Sequence, residues 1–267
     1  MRKALAFPVC FALGFLFVVQ LAAQEASPPK DNEPRLADNP APTDIVPANS
    51  VKVVLLKSWG VTTVWEAMKT NWQNFGKTPV IIDDSTYINS DFTYHDIVAS
   101  KANVIVLSNP AGGVHQYSSA EISAVARYAK AGHPVVGTYV VFQWVGTDNR
   151  GLAPVFGFSS KIEYNTTQVG ISNLFKKTKQ NQCLLKRIPG ASWQSDGYPY
   201  TQAPMTGNWK GHLGKAVAVA EADKYVGVIS LYTAATYTGV YISNFPEYNG
   251  GTDDEQLLYN AVTCYAK

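Results

Sequence analysis

The sequence predicts an α/β fold in three layers, with a mostly parallel, doubly wound sheet and an antiparallel hairpin at one edge. Three observations predict it. Four short runs are almost continuously apolar: 52–57 (KVVLLK), 79–83 (PVIID), 103–107 (NVIVL) and 134–142 (PVVGTYVVF). Strands read this way when helices cover both faces of a parallel sheet. Segments with helical spacing lie between them, and this βαβ order implies right-handed crossovers. Third, the runs 216–220 and 225–231 are separated only by a four-residue turn, EADK, which predicts the hairpin.

The elements follow in chain order. Residues 1–23 read as a signal peptide: Arg2 and Lys3 start it, residues 4–19 are nearly all apolar, and Ala22-Ala23 end it with small side chains. The apolar stretch is short for a membrane span of about 20 residues. Residues 24–50 hold six prolines and almost no large apolar side chain, the composition of an extended linker. The folded domain is expected over 51–267. Its helical segments are 63–75, with Val64, Trp65, Met68, Trp72 and Phe75 on one face; 119–130, with Ile122, Val125, Ala126 and Ala129; and 253–265, with Leu257, Leu258, Ala261, Val262 and Tyr265. Capping boxes are expected at Thr63/Glu66, Ser118/Glu121 and Thr252/Glu255, and left-handed glycine stops at Gly76 and Gly132. A last strand is expected at 239–243. Residues 166–213 are less periodic and read as an insertion, a short helix at 172–179 followed by a long loop.

Composition bounds the function. With 46% hydrophobic and 16% charged residues the chain is globular rather than disordered. The formal charge is +2; loss of Arg2 and Lys3 with the signal leaves 20 basic against 20 acidic residues. The densest basic cluster is Lys176-Lys177 with Lys179, too sparse for a phosphate-neutralising surface, so no nucleic acid partner is expected. No membrane span is expected after signal cleavage, and a secreted, periplasmic or cell-envelope location follows. Cys183 and Cys264 remain in the mature chain. In an exported protein two cysteines most often pair, the alternative being a nucleophilic thiol; closing a loop of roughly 80 residues is worth about 4–5 kcal/mol in the chain-entropy account.

Open α/β sheets bind ligands at the carboxyl ends of their strands. Those ends bring together Ser58, Trp59 and Gly60; Asp83 and Asp84; Asn109, Pro110, Gly112, Gly113 and His115; Gln143 and Trp144; and Asn244, Phe245, Pro246 and Glu247. His95, His115, His133 and His212 show no metal-ligand spacing, and neither metal nor cofactor is expected. Asp83-Asp84 reads as a turn cap, with Asp83 as a lesser acid/base candidate. The segment 190–212 sets Trp193, Tyr198, Tyr200 and Trp209 among Gly, Pro and Ser. Such rings either pin a long loop or stack on a sugar. Asn165-Thr166-Thr167 is a glycosylation sequon, meaningful in a eukaryotic source.

Two blocks carry a resemblance. The first is NVIVLSNPAGGVHQYSSAEISAVARYAKAGHPVVGTYVVF at 103–142; the second is YISNFPEYNGGTDDEQLLYNAV at 241–262. Together they resemble the class I glutamine amidotransferase-like superfamily, including its trehalose-utilisation branch, which implies a flavodoxin-like fold. In that family a Cys stands two residues after the glycine of a P-x-x-G strand, and a His precedes Pro-Glu. Pro134, Gly137, Pro246 and Glu247 match; Tyr139 takes the Cys position, Phe245 the His position, and the elbow glycine is absent. The resemblance therefore implies a domain without the thiol-based machinery, whose Gly112-Gly113 loop still presents backbone amides. Glu247, without its imidazole, reads as a hydrogen-bonding partner of nearby backbone.

Three functions stay open. The first is a non-catalytic module holding a small polar ligand, a carbohydrate included, through Trp59, Asn109, Gly112, Gly113, Gln143, Trp144 and Trp193. The second is a hydrolase with another catalytic set drawn from Tyr139, Glu247, His115 and Asp83. The third is an envelope component that docks on another protein.

Overall fold

The chain leaves Ser50 directly into a six-residue strand, β1 (Val51–Leu56), in which only Lys52 is less than fully buried. The structure is a computed structural model that describes residues 49–57, 62–82, 87–88, 90–108, 116–139, 141–144, 147–159, 174–178, 183–195, 215–222, 225–249 and 251–266. These all belong to one unit, Ile45–Lys267. The expected signal peptide (1–23) and all of the expected linker except its last two residues lie outside the described residues, as does the sequon.

After β1 come α1 (Thr63–Thr70), α2 (Trp72–Phe75), β2 (Val80–Ile81), β3 (Tyr87–Ile88), α3 (Tyr94–Ala99), β4 (Val104–Leu107), α4 (Ser119–Lys130) and β5 (Val135–Thr138). A small hairpin follows, β6 (Gln143–Trp144) and β7 (Thr147–Asp148), then a 3-10 helix (Arg150–Phe156). The second half is β8 (Leu174–Lys177), β9 (Ser192–Gln194), β10 (Val217–Ala222), β11 (Tyr225–Thr233), β12 (Thr238–Ile242), α5 (Pro246–Asn249) and α6 (Thr252–Thr263). The main sheet runs β2-β1-β4-β5-β12-β11-β10-β8-β9, with β3 also paired to β1. Pairing is parallel from β2 through β12 and antiparallel from β12 outward.

The period-2 alternation of the strands sorts the core into two layers. Val53, Leu55, Val104, Val106, Val240 and Ile242 face Trp65, Met68, Leu257 and Leu258 of α1 and α6. Val54, Leu56, Ile105, Leu107 and Tyr241 face Ile97, Val125, Tyr128 and Leu152 of α3, α4 and the 3-10 helix. A sheet covered on both faces is the predicted α/β flavodoxin-like architecture.

Several local expectations need correction. The box at Ser118/Glu121 forms, but Thr62, not Thr63, caps α1, and Gly251 precedes α6 without a side-chain bond. A further box forms at Thr93/Asp96 and starts α3. The segment 63–75 is two helices broken at Asn71. Gly132 has the expected positive φ of 108°, whereas Gly76 is extended at −174°, its place explained by Tyr259, whose ring and hydroxyl would collide with a Cβ there. The expected helix at 172–179 is a strand over its described part, β8, because Phe175 turns inward onto Trp193 while Lys176 stays in solvent, a two-residue period. Consequently β10/β11 is not the edge: β8 and β9 extend the sheet beyond it. The run 134–142 is a strand only to Thr138, where the chain turns.

Cys183 and Cys264 form the expected disulfide, with Cα atoms 5.8 Å apart, and tie the insertion to the end of α6. Among the described residues no helix is long and apolar enough to cross a membrane.

Candidate functional site

The parallel strands β4, β5 and β12 are neighbours, so their carboxyl ends bring Ser108, Thr138 and Ser243-Asn244 to one rim. Glycine allows close packing here: a Cβ on Gly137 would sit 2.7 Å from the Phe156 ring. Directly after β5 the backbone turns sharply, with Tyr139 at φ 51°. A non-glycine residue in this left-handed region costs about 1–2 kcal/mol. The surroundings hold it there. Its N–H donates to the carbonyls of Ile242 (2.8 Å) and Asn244 (3.0 Å), and its carbonyl accepts from the Tyr241 hydroxyl at 2.7 Å. Its ring stacks on Phe245, centroids 5.0 Å apart and planes within 10°, and both rings are buried.

Glu247, in α5 two residues after Phe245, is 1% exposed. Its Oε1 accepts from the hydroxyls of Ser108 (2.6 Å) and Thr138 (2.5 Å). Its Oε2 has no hydrogen-bond partner among the described residues. Burial pushes the carboxyl up to about 7, against the pull of the two hydroxyls and of the backbone. A carboxyl so placed is divided between its two forms at neutral pH and suits giving or taking a proton. The buried Ser243 Oγ and Asn244 Oδ1 are likewise unpartnered among the described residues.

Asn244 also reaches outward. Its Nδ2 donates to Ser195 Oγ (2.8 Å), Ser195 donates to Asp254 Oδ2 (2.8 Å), and the Trp193 indole N–H donates to Asp254 Oδ1 at 3.4 Å. Trp193 is thus part of the buried core, edge-on to Phe175, and it joins the insertion to the rim.

A second polar cluster closes the end of β1. Lys57, also at positive φ (46°), is buried and binds Glu121 (2.8 Å) and Asp91 (2.7 Å). Burial lowers its tendency to hold a proton, but the bonds and charges of Asp91 and Glu121 outweigh this and raise it above the ordinary lysine value.

Of the residues singled out in the sequence, the structure brings Tyr139, Phe245 and Glu247 to one rim. The strong partners of Glu247 are two side-chain hydroxyls rather than the nearby backbone that the sequence suggests. Trp59, Asp83, Asn109, Gly112, Gly113 and His115 lie outside the described residues. Gln143 and Trp144 form β6, Gln143 opposite Asp148 and Trp144 opposite Thr147. Sequence reasoning missed Ser108, Thr138 and Lys57. The signal for Ser108 was present, a polar residue where the apolar run 103–107 stops; Thr138 lies inside the apolar run 134–142 and gave none. Among the described residues no group of three His, Cys, Asp or Glu side chains is placed to hold a metal ion.

No protein-family model and no curated protein matches the sequence. Solved structures do resemble it. A cytoplasmic protein of Salmonella typhimurium aligns at TM-score 0.54 and 11% identity, over 81% of this chain and 99% of that one. A GMP synthase-type protein of Thermoplasma acidophilum aligns at 0.49 and 10%, over 80% and 92%. A ThuA-like protein of Parabacteroides merdae aligns at 0.47 and 10%, over 82% and 90%. At 11% identity the likeness to the Salmonella protein concerns the fold alone.

Proposed function

We propose that this chain is an exported, non-catalytic amidotransferase-like domain that binds a small polar ligand, of the polyhydroxylated or carbohydrate class, at the carboxyl edge of its parallel strands. One observation carries the reading. The left-handed corner after β5 is retained, yet the two positions at which the resembling family has its Cys and His hold Tyr139 and Phe245, stacked on each other at 5.0 Å. A phenol with an ordinary value near 10 is a poor nucleophile at neutral pH, and a phenyl ring moves no proton. Glu247 has no imidazole at position 245 to orient. The described rim keeps the hydroxyls of Ser108 and Thr138 on the Glu247 carboxyl, with the Ser243 hydroxyl on the same rim; the proposed ligand contacts, Trp59, Asn109, Gly112, Gly113, Gln143 and Trp144, come from the sequence alone. The disulfide and the apolar 1–23 segment support an oxidising, extracytoplasmic setting.

Titration against a panel of neutral and acidic saccharides tests it. The expected result is saturable binding that Trp59→Ala and Trp144→Ala abolish, with no glutamine hydrolysis. A flat response across the panel would overturn the reading. So would turnover of an ester or glycoside that Glu247→Gln eliminates, which would establish a hydrolase instead.

A further inference from the structure

At the other end of the sheet, where the parallel strands begin, lies a cavity of about 240 Å³. Its walls come from the end of α2, from Lys77 and Thr78 just before β2, from the turn 183–187, and from the last turn of α6. We propose that this cavity is a second, separate site, which binds a small organic oxyanion such as a phosphate monoester.

The charge is one-sided. Lys77, Lys186 and Arg187 line the cavity, and among the described residues no carboxylate does. None of the three makes a salt bridge among the described residues. The C-terminal end of α6 contributes the opposite sign, but a helix terminus carries only about half an elementary charge, and α2 is a single turn. The balance stays between two and three positive charges, enough to favour a dianion over a neutral ligand.

The walls are fixed independently of any ligand. The Tyr259 hydroxyl donates to the Thr78 carbonyl and accepts from the Thr78 N–H, both at 2.9 Å. Asn260 Nδ2 donates to the carbonyls of Leu184 (2.9 Å) and Lys186 (2.7 Å), which sets the turn that carries the two cations. The disulfide fastens the same turn to α6. Arg187 stands at φ 64°, a conformation that favours glycine, and spends one donor on the Asn74 carbonyl at 3.3 Å. A guanidinium has five N–H donors, so the others remain to grip an oxyanion in fork geometry. Phe75 stacks on Tyr259 (5.7 Å) and gives the cavity an apolar wall for the body of the ligand. The volume admits a small monoester and is below that of an ordinary drug-sized pocket, about 300 Å³ or more.

Isothermal titration at fixed ionic strength, with phenyl phosphate, inorganic phosphate and phenol as probes, decides the matter. The expected result is one-site saturation by phenyl phosphate and none by phenol. Arg187→Gly suits the backbone at φ 64° and keeps the fold, and it should weaken phenyl phosphate binding about tenfold, the worth of one charge-assisted hydrogen bond. Lys186→Gln should do the same, while Lys130→Gln on the opposite face should change nothing. Saturation by inorganic phosphate at equal strength would support the site and identify the free anion as its source. Absence of saturation by both anions would overturn the proposal, as would equal binding in Arg187→Gly and Lys186→Gln. These variants lie away from Tyr139 and Glu247, so failure here leaves the saccharide reading untouched.

Discussion

Glu121 and Glu247 are each 1% exposed, and each closes the carboxyl end of a central strand, yet their surroundings differ completely. Both oxygens of Glu121 are engaged. The Lys57 ammonium reaches both, at 2.8 and 3.0 Å; the Phe92 N–H donates to Oε1 and the Ser118 N–H to Oε2. Glu247 has two neutral hydroxyls on one oxygen and nothing among the described residues on the other. Removing a carboxylate from water costs several kcal/mol unless a cation or several donors replace the water. At Glu121 a lysine supplies the replacement, and the group braces β1, α4 and the loop before α3. At Glu247 the replacement is partial, and the group answers by holding a proton up to about pH 7. Equal burial thus goes with a structural brace in one place and with a carboxyl raised by desolvation in the other.

The largest expected effect comes from breaking the brace. Lys57→Met leaves Glu121 buried without its cation and should cost about 3–5 kcal/mol in urea denaturation at pH 7. Asp91→Asn, on the exposed partner of the same lysine, should cost less than about 1 kcal/mol. If Lys57→Met cost no more than Asp91→Asn, the two amides would suffice for Glu121 and the contrast with Glu247 would fail.

The next effect concerns pH and has a defined sign. In the unfolded chain Glu247 titrates near 4.5 and in the folded protein near 7, so the folded state binds more protons in between. Its contribution is complete below about pH 4.5 and is lost as pH rises through 7, a fall of about 3 kcal/mol by pH 8. Glu255, raised by burial and by the Asp254 charge, acts in the same direction. Asp96 and Asp148, lowered by their bonds from Thr93 and Arg150, act only at more acid pH. The readout is therefore the difference between the wild type and Glu247→Gln, measured by thermal or urea unfolding across pH 4–8. A difference independent of pH would mean that burial does not raise the Glu247 carboxyl in the folded protein.

How much of this was legible in the sequence follows from the same physics. The parallel strands were legible because burial on both faces leaves an unbroken apolar run, as in Val104–Leu107, and α4 because Ser118 and Glu121 announce its start locally. The brace was not legible: Lys57 and Glu121 are 64 residues apart, and nothing near either one names the other. The cap of α1 was displaced by one residue, from the expected Thr63 to Thr62, since neighbouring hydroxyls make equivalent patterns; before α6 the expected Thr252 is already helical and Gly251 caps without a side chain. The strand at Leu174–Lys177 was misread because four residues hold too few repeats to tell a period of 2 from one of 3.6. The resemblance drew attention to Tyr139, but its left-handed backbone and its ring stack on Phe245 depend on β5, β12 and the turn before α5 meeting in space.

The smallest effect separates the two hydroxyls from the burial that opposes them. Thr138→Val keeps the shape and the strand preference of the side chain but removes one donor to Glu247 Oε1. That bond stabilises the charged carboxylate, so its loss should raise the midpoint of Glu247 above 7 by roughly half to one pH unit, the worth of about 1 kcal/mol. Ser108→Ala should act in the same direction, and the pair together should leave burial almost unopposed. The midpoint is read from the pH dependence of each variant against its own Glu247→Gln counterpart, which cancels the stability lost by the substitution itself. An unmoved midpoint would mean that the hydroxyls serve both forms of the carboxyl equally, as donors to the carboxylate and as acceptors from the acid. Glu247 would then owe its distinction from Glu121 wholly to the absence of a cation among its hydrogen-bond partners.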